Sequence, residues 1–230
     1  MIDIHSHIIY CIDDGPDTIE KSKQMVIGAS RVGVKTIIAT PHFSEVLLED
    51  SKIINNYNEV VKIGREYGIN ILLGYEVKIN PFLPDSLEKN ITLNKTRFIL
   101  VELPYDNIPF YLSEILYKLQ LMQITPVIAH PERNLALHKN FQLFLDLHKM
   151  GFLIQVDAGS IMGVYGRSAK KLAKKIIKSK DAHFIASDAH NPRGYSDFYK
   201  ARKKVHRWVG EEYTDRLFCR NSKDILRIGE

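Results

Sequence analysis

Ile2-Asp3-Ile4-His5-Ser6-His7 opens the chain with a short β-branched run that closes on a His-x-His pair. Side chains alternate with period two along a strand, so both imidazoles project to the same side, in chelating geometry. Six more runs of strand length share its near-continuous apolar character: Thr36 to Thr40, Asn70 to Val77, Phe98 to Leu103, Thr125 to His130, Phe152 to Asp157 and His183 to Ser187. That character is expected of parallel strands buried on both faces. Stretches with helical patterning separate them. Asp17 to Val32 starts on Asp/Thr cap candidates and stops at Gly33, and Glu49 to Tyr67 stops at Gly68. Pro109 to Gln123, Asn140 to Met150, Arg167 to Ser179 and Ser196 to Val209 follow. Strand and helix alternate from end to end without repeat, linker or low-complexity tract. The reading is therefore α/β, one domain over 1–230, as a distorted, TIM-barrel-like barrel of seven βα units, with an open doubly wound sheet as the alternative.

The 230 residues, 45% of them hydrophobic, suffice to bury one sizeable core. The net charge of +5 comes largely from Lys170 to Lys175 and Lys200 to Arg207. Their helical spacing predicts solvated helix faces rather than a nucleic-acid surface. No run approaches the roughly 18 apolar residues of a membrane span, and Met1 to His5 lacks the basic and apolar regions of a signal peptide. We therefore expect a cytoplasmic protein with no membrane insertion. Cys11 and Cys219 form no disulfide framework, in keeping with a reducing compartment. Asp17 and Ile225 stand six residues after them, so neither opens a Cys-x5-Arg phosphate loop.

The C-terminal strand ends, where α/β barrels place their catalytic loops, carry the His and acidic residues. His5 and His7 end the first strand, His42 follows the second, and Glu76 lies near the end of the third. Glu102 is late in the fourth, His130 ends the fifth, and Asp188 and His190 follow the seventh. Asp13 and Asp14 occupy the first βα loop; the sixth strand, ending Asp157-Ala158-Gly159, adds no clear ligand. Mixed imidazole and carboxylate donors suit zinc, iron or manganese, and the set exceeds the needs of one ion, so two or three are expected. His138, His148, His183 and His206 stand away from these ends and read as structural or surface residues.

Close-set divalent ions create a nucleophile at neutral pH and neutralise oxyanions, which points to phosphate ester hydrolysis. A guanidinium to hold the phosphoryl oxygens completes that chemistry. Arg133, three residues past His130, is the first candidate, with an ion pair to Glu132 as its structural alternative. Arg193, three past His190, is the second. Tyr105, Tyr165 and Phe43 lie in rim loops that could flank a substrate ring.

Met1-Ile-Asp-Ile-His-Ser-His7, Asp13-Asp-Gly-Pro16, Ala39-Thr-Pro-His-Phe43, Gly74-Tyr-Glu76, Ile128-Ala-His-Pro-Glu-Arg133 and Ala186-Ser-Asp-Ala-His-Asn191 occur in this order. In them the chain resembles the PHP (polymerase and histidinol phosphatase) superfamily, specifically the bacterial capsular-polysaccharide protein-tyrosine phosphatases. The resemblance implies a trinuclear site, with manganese in the first place and iron, cobalt or zinc as alternatives. Its ligands would be His5, His7, Asp14, His42, Glu76, Glu102, His130, Asp188 and His190, with Asp14 chosen over Asp13 on this ground alone. Glu102 would be the bridging carboxylate, and Arg133 matches the family arginine that contacts phosphate.

The implied substrate is a phosphotyrosine protein, a bacterial tyrosine kinase phosphorylated on its C-terminal tail, which controls capsule or exopolysaccharide export. Two features depart from the pattern. Asn191-Pro-Arg-Gly-Tyr-Ser196 does not fix Arg193 on the second arginine that some relatives carry, and Phe43-Ser-Glu-Val-Leu-Leu-Glu49 lacks the basic residues often present there. A small-molecule phosphatase such as histidinol phosphatase is the alternative within the enzyme class. A non-catalytic module binding metal or a kinase tail is the alternative outside it.

Overall fold

Two parallel sheets carry the chain in the computed structural model, which describes residues 1–45 and 51–226. The first has the order β1 (Ile2–Ser6), β2 (Thr36–Ala39), β3 (Asn70–Leu73). The second has β4 (Glu76–Lys78), β5 (Phe98–Glu102), β6 (Thr125–Ala129), β7 (Leu153–Asp157), β8 (Phe184–Ala186).

The third apolar run is thus two strands, which corrects the expected count of seven. Leu73 of β3 lies opposite Ala39 of β2, and Gly74 N–H donates to Ala39 O at 2.9 Å. The chain then leaves this sheet, and Glu76 opens β4 beside Leu100 of β5. Glycine is needed at the crossing: a Cβ on Gly74 would lie 3.0 Å from Leu93 Cδ2 and 3.1 Å from Ile38 Cγ2. Glu76 therefore begins a strand instead of ending one.

The pairing also leaves the sheets as separate ladders, so the strand ladders do not close into seven units. Their edges meet at isolated bridges, His42 to Glu76 and Ser6 to Ala189. Phe43 N–H donates to Glu76 O at 2.8 Å in the first, and His7 N–H to Ala189 O at 3.0 Å in the second. Both sheets turn one face to a shared apolar interior. Ile2, Ile4, Ile38, Phe98, Leu100, Val127, Ala129, Phe184 and Ala186 form one buried cluster, joined by Ile225 and Leu226 of the C-terminal helix. Ile37, Ile99, Val101, Ile128 and Ile185, their alternates, belong to the larger cluster that the helices cover. Counting two residues on from Leu100 and Ala186 puts Glu102 and Asp188 at the end of the inward columns. Strand alternation thus delivers polar groups to one rim.

The helices follow their local signals. Ile19–Arg31 starts at Thr18, whose side chain accepts from Lys21 N–H, and Gly33 beyond it has φ +83°. Ser51–Glu66 lies within the expected Glu49 to Tyr67, of which Glu49 and Asp50 fall outside the described residues. Asn140 accepts from Gln142 N–H to start Phe141–Lys149. In Gly166–Lys178 the residues Ala169, Leu172, Ala173, Ile176 and Ile177 are buried, while Lys171, Lys174, Lys175 and Lys178 are exposed, a solvated face as read from spacing. Arg193–Val209 begins three residues before the expected Ser196. No helix among the described residues is long and apolar enough to cross a membrane.

One histidine far from the rim yields a pH prediction. Ile154 N–H donates to His183 Nδ1 at 3.0 Å, and burial, with His148 adding to it, lowers the His183 pKa to about 4. An unfolded histidine binds its proton near pH 6.5, so as pH falls the unfolded chain takes it up first. The neutral ring's contribution is whole above about pH 6.5 and is lost progressively toward pH 4. His183→Asn should therefore flatten the fall in urea midpoint between those pH values; an identical slope in both proteins would contradict this.

Candidate metal centre

β1 carries a register shift between Asp3 and Ser6, so His5 sits in an irregular stretch of backbone. The Nε2 atoms of His5 and His7 face each other at 3.2 Å. Each ring has its other nitrogen engaged outward. His5 Nδ1–H donates to Gln155 Oε1 at 3.0 Å, and His7 Nδ1–H donates to Asp13 Oδ2 at 2.6 Å. Both Nε2 lone pairs then point into one space, which is repulsive unless a proton or a cation lies between them.

Glu76 and Asp188, both buried, close in on that space. Glu76 Oε2 lies 3.3 Å from each of the two Nε2 atoms and 3.2 Å from His42 Nδ1, while Oε1 accepts from His130 Nε2 at 2.9 Å. Asp188 Oδ1 is 3.2 Å from His5 Nε2 and 3.3 Å from His7 Nε2. Burial alone would drive these groups neutral, but the opposite charges outweigh it. His5 is raised to about 9 against its burial, by Glu76 and Asp188. Glu76 is held well below the usual carboxylate range, also against burial, by His5 and His130.

All nine expected ligand side chains come together, in four sets whose donor atoms lie within 4.8 Å of one another. The sets are His7, Asp14, His42 and His190; His5, His7 and Glu76; His5, His130 and Asp188; and Glu76, Glu102 and His130. Glu76 joins two sets and Glu102 one, so the shared carboxylate in this geometry is Glu76 rather than Glu102. The donor set suits borderline divalent ions. Glu102 Oε2, buried within it, has no hydrogen-bond partner, and His42 Nδ1 and Asp188 Oδ1 face Glu76 and His5 at 3.2 Å without hydrogen-bond geometry, as coordinating atoms would.

The outer set faces solvent. Asp14 is 63% exposed, and its Oδ1 is 3.2 Å from His190 Nε2. Asp13, in contrast, spends its oxygens on His7, on Gly15 N–H at 3.0 Å and on His42 N–H at 3.0 Å. Geometry thus separates two adjacent carboxylates that local sequence leaves equivalent. His130 and Asp188 adopt φ +31° and +46°, left-handed values that cost strain outside glycine and cluster at functional sites.

Arg133 ends the 3-10 turn Pro131–Arg133 behind β6. Its Nη1 donates to Asp188 Oδ2 at 2.5 Å, so the alternative ion pair to Glu132 is not formed. Glu132 Oε1 instead accepts from Asp157 N–H at 2.9 Å. Arg133 lines a cleft of about 530 Å³ together with Asp14, Tyr165, Asp188, His190 and Arg193. Arg193, exposed at the first turn of its helix, reaches the cleft wall and makes no ion pair with a site residue. Tyr105, 68% exposed, lines a smaller cavity with Glu102, His130 and Arg133. Phe43 packs edge-on against Tyr75 at 6.0 Å, half-buried; Val46 to Glu49 of its loop lie outside the described residues.

β7, which offers no clear ligand in sequence, supports the others. Gln155 holds His5, and Asp157 caps Gly159 N–H at 2.7 Å; its own carboxyl is pushed up to about 8 by burial and by Asp188 and Glu132. The sequence signal for Gln155 is a polar residue inside a strand buried on both faces. His138, His148, His183 and His206 stand outside the four sets.

Parallel α/β sheets thus bring an imidazole–carboxylate donor set together beside an arginine, a combination suited to metal-assisted hydrolysis of a phosphate ester. The chain belongs to the CpsB/CapC family of capsular polysaccharide synthesis, which matches residues 1–227. It is 33% identical over 243 residues to tyrosine-protein phosphatase CpsB of Streptococcus pneumoniae, covering 98% of each chain. It is 36% identical over 197 residues to tyrosine-protein phosphatase YwqE of Bacillus subtilis, covering 83% of this chain and 78% of that one. A crystal structure from work on YwqE and CpsB, described as unique metal-dependent tyrosine phosphatases, superposes with a TM-score of 0.89 at 33% identity, over 99% of this chain and 94% of the other.

Proposed function

We propose that this chain hydrolyses phosphotyrosine on protein substrates through two or three divalent ions, manganese foremost, held by His5, His7, Asp14, His42, Glu76, Glu102, His130, Asp188 and His190. The substrate would be a bacterial tyrosine kinase tail, met in the cytoplasm, in a pathway of capsule synthesis. The two sheets would act as one distorted barrel domain over 1–230, since they share an interior and touch at both edges. The observation that carries the reading is the pair of His5 and His7 Nε2 atoms 3.2 Å apart among converging buried imidazoles and carboxylates, with Arg133 bonded to one of them, Asp188.

When bound, such ions acidify water to a nucleophile at neutral pH and neutralise the phosphoryl oxygens. The chain's own residues do the rest. Gln155, Asp13 and the Asp188 carbonyl each take a ring N–H from His5, His7 and His190, which turns the other nitrogen inward. Arg133 gives one N–H to Asp188 and has four more for phosphoryl oxygens in the cleft. A phenol with pKa near 10 leaves with less protonation than an alkoxide, which favours aryl esters.

Asp13→Asn removes the charged acceptor from His7 and should weaken metal affinity by about 10- to 100-fold. Competition against a chromophoric chelator measures this, and unchanged affinity would contradict the role given to Asp13. The substrate class is tested by turnover of a phosphotyrosine peptide, a phosphoserine peptide and histidinol phosphate with manganese, before and after chelation. Metal-dependent turnover confined to phosphotyrosine is expected. Preference for histidinol phosphate would overturn the substrate assignment, and no turnover of any ester would overturn the activity.

A further inference from the structure

The loop that follows β7 is built around one aromatic ring. The short helix Ala158–Met162 ends at Gly163, whose N–H donates to Gly159 O at 2.8 Å, as does Val164 N–H at 2.9 Å. Gly163 and Gly166 have φ +98° and +89°, so the chain reverses on both sides of Tyr165. The ring lies over a third glycine: a Cβ on Gly159 would stand 3.0 Å from Tyr165 Cε2. Tyr165 in turn faces the Arg133 guanidinium, whose Cζ is 4.1 Å from the ring centroid. The anchors of both residues are tied together, because Asp157 caps Gly159 while its own N–H donates to Glu132, the neighbour of Arg133.

We propose that Tyr165 is the positioning residue of Arg133, seated by Gly159 so that its ring face fixes the plane in which the guanidinium meets phosphate. The inference rests on the phosphate-binding role given to Arg133 above. Among the described residues, the one ion pair of that guanidinium is with Asp188, a carboxylate that also belongs to the donor set. A long side chain held at one end samples many planes, and bidentate recognition of phosphate needs one. Stacking on an aromatic face supplies the second restraint, and it is independent of the charge state of Asp188. It acts through the ring face rather than the hydroxyl, so phenylalanine should serve and leucine should not.

The test compares Tyr165→Leu, Tyr165→Phe and Gly159→Ala in the wild-type and Arg133→Ala backgrounds. Steady-state turnover of a phosphotyrosine peptide is read alongside calorimetric binding of inorganic phosphate. Tyr165→Leu should raise KM and weaken phosphate binding, each about tenfold, with a smaller change in kcat. Tyr165→Phe should restore both to within about twofold. Gly159→Ala, which displaces the ring without removing it, should reproduce the Leu pattern, and it carries the test if the Leu variant does not fold. With Arg133→Ala already present, Tyr165→Leu should add nothing. An active wild type with an unaffected Tyr165→Leu, or the same tenfold loss in the Arg133→Ala background, overturns this proposal alone. An inactive, metal-loaded wild type overturns the reading beneath it.

Discussion

Glu76→Gln should lower kcat/KM for a phosphotyrosine peptide by at least about 10³-fold, the equivalent of about 4 kcal/mol. Glu76 is the carboxylate whose oxygens lie among His5, His7, His42 and His130, and it belongs to two of the four donor sets. The substitution keeps volume and removes charge. It also presents amide hydrogens to an imidazole cluster, which opposes any cation there. Metal content measured on the same sample should fall with activity, while near-ultraviolet circular dichroism stays that of the wild type. Activity within tenfold of wild type would remove Glu76 from the centre.

Arg133→Ala should cost about 10²- to 10³-fold in kcat/KM while leaving metal content unchanged. The guanidinium contacts one member of the donor set, Asp188, through Nη1, lies over Tyr165 and lines the cleft, so its loss removes charge stabilisation without removing a donor. Arg133→Lys should recover little of this, because an ammonium has neither the fork nor the flat face of the guanidinium that lies over the Tyr165 ring. Loss of metal from Arg133→Ala would instead assign the residue to holding Asp188.

Strand periodicity made most of the rim legible. An apolar run ending in His or a carboxylate says which residues reach the end of a strand, and inward columns such as Phe98, Leu100 and Glu102 follow from period two. Local pattern does not report pairing, so the run from Asn70 to Val77 read as one strand although its halves belong to different sheets. Gly74, inside that run, was its one local mark. The same limit applies to closure: the sheets share an interior, but among the described residues their ladders meet at single bridges.

Distances decided what residue type could not. Asp13 and Asp14 are equivalent in sequence, and it is the hydrogen bonds to His7, Gly15 and His42 that commit the Asp13 carboxylate while Asp14 stands exposed beside His190. Gln155 was hard to see for another reason, since it acts through a partner distant in sequence, His5, and Tyr165, legible as a rim residue, gave no local sign of its contact with Arg133. The left-handed backbone at His130 and Asp188 has no local signature at all.

These donors are proposed to form one multinuclear, catalytic centre. Its most direct test is titration of chelated protein with manganese, following bound metal and hydrolysis of a phosphotyrosine peptide together. No turnover is expected without metal, and activity should reach its plateau only after two or three ions per chain. Full turnover by the metal-free protein, or a plateau at a single ion, would contradict it.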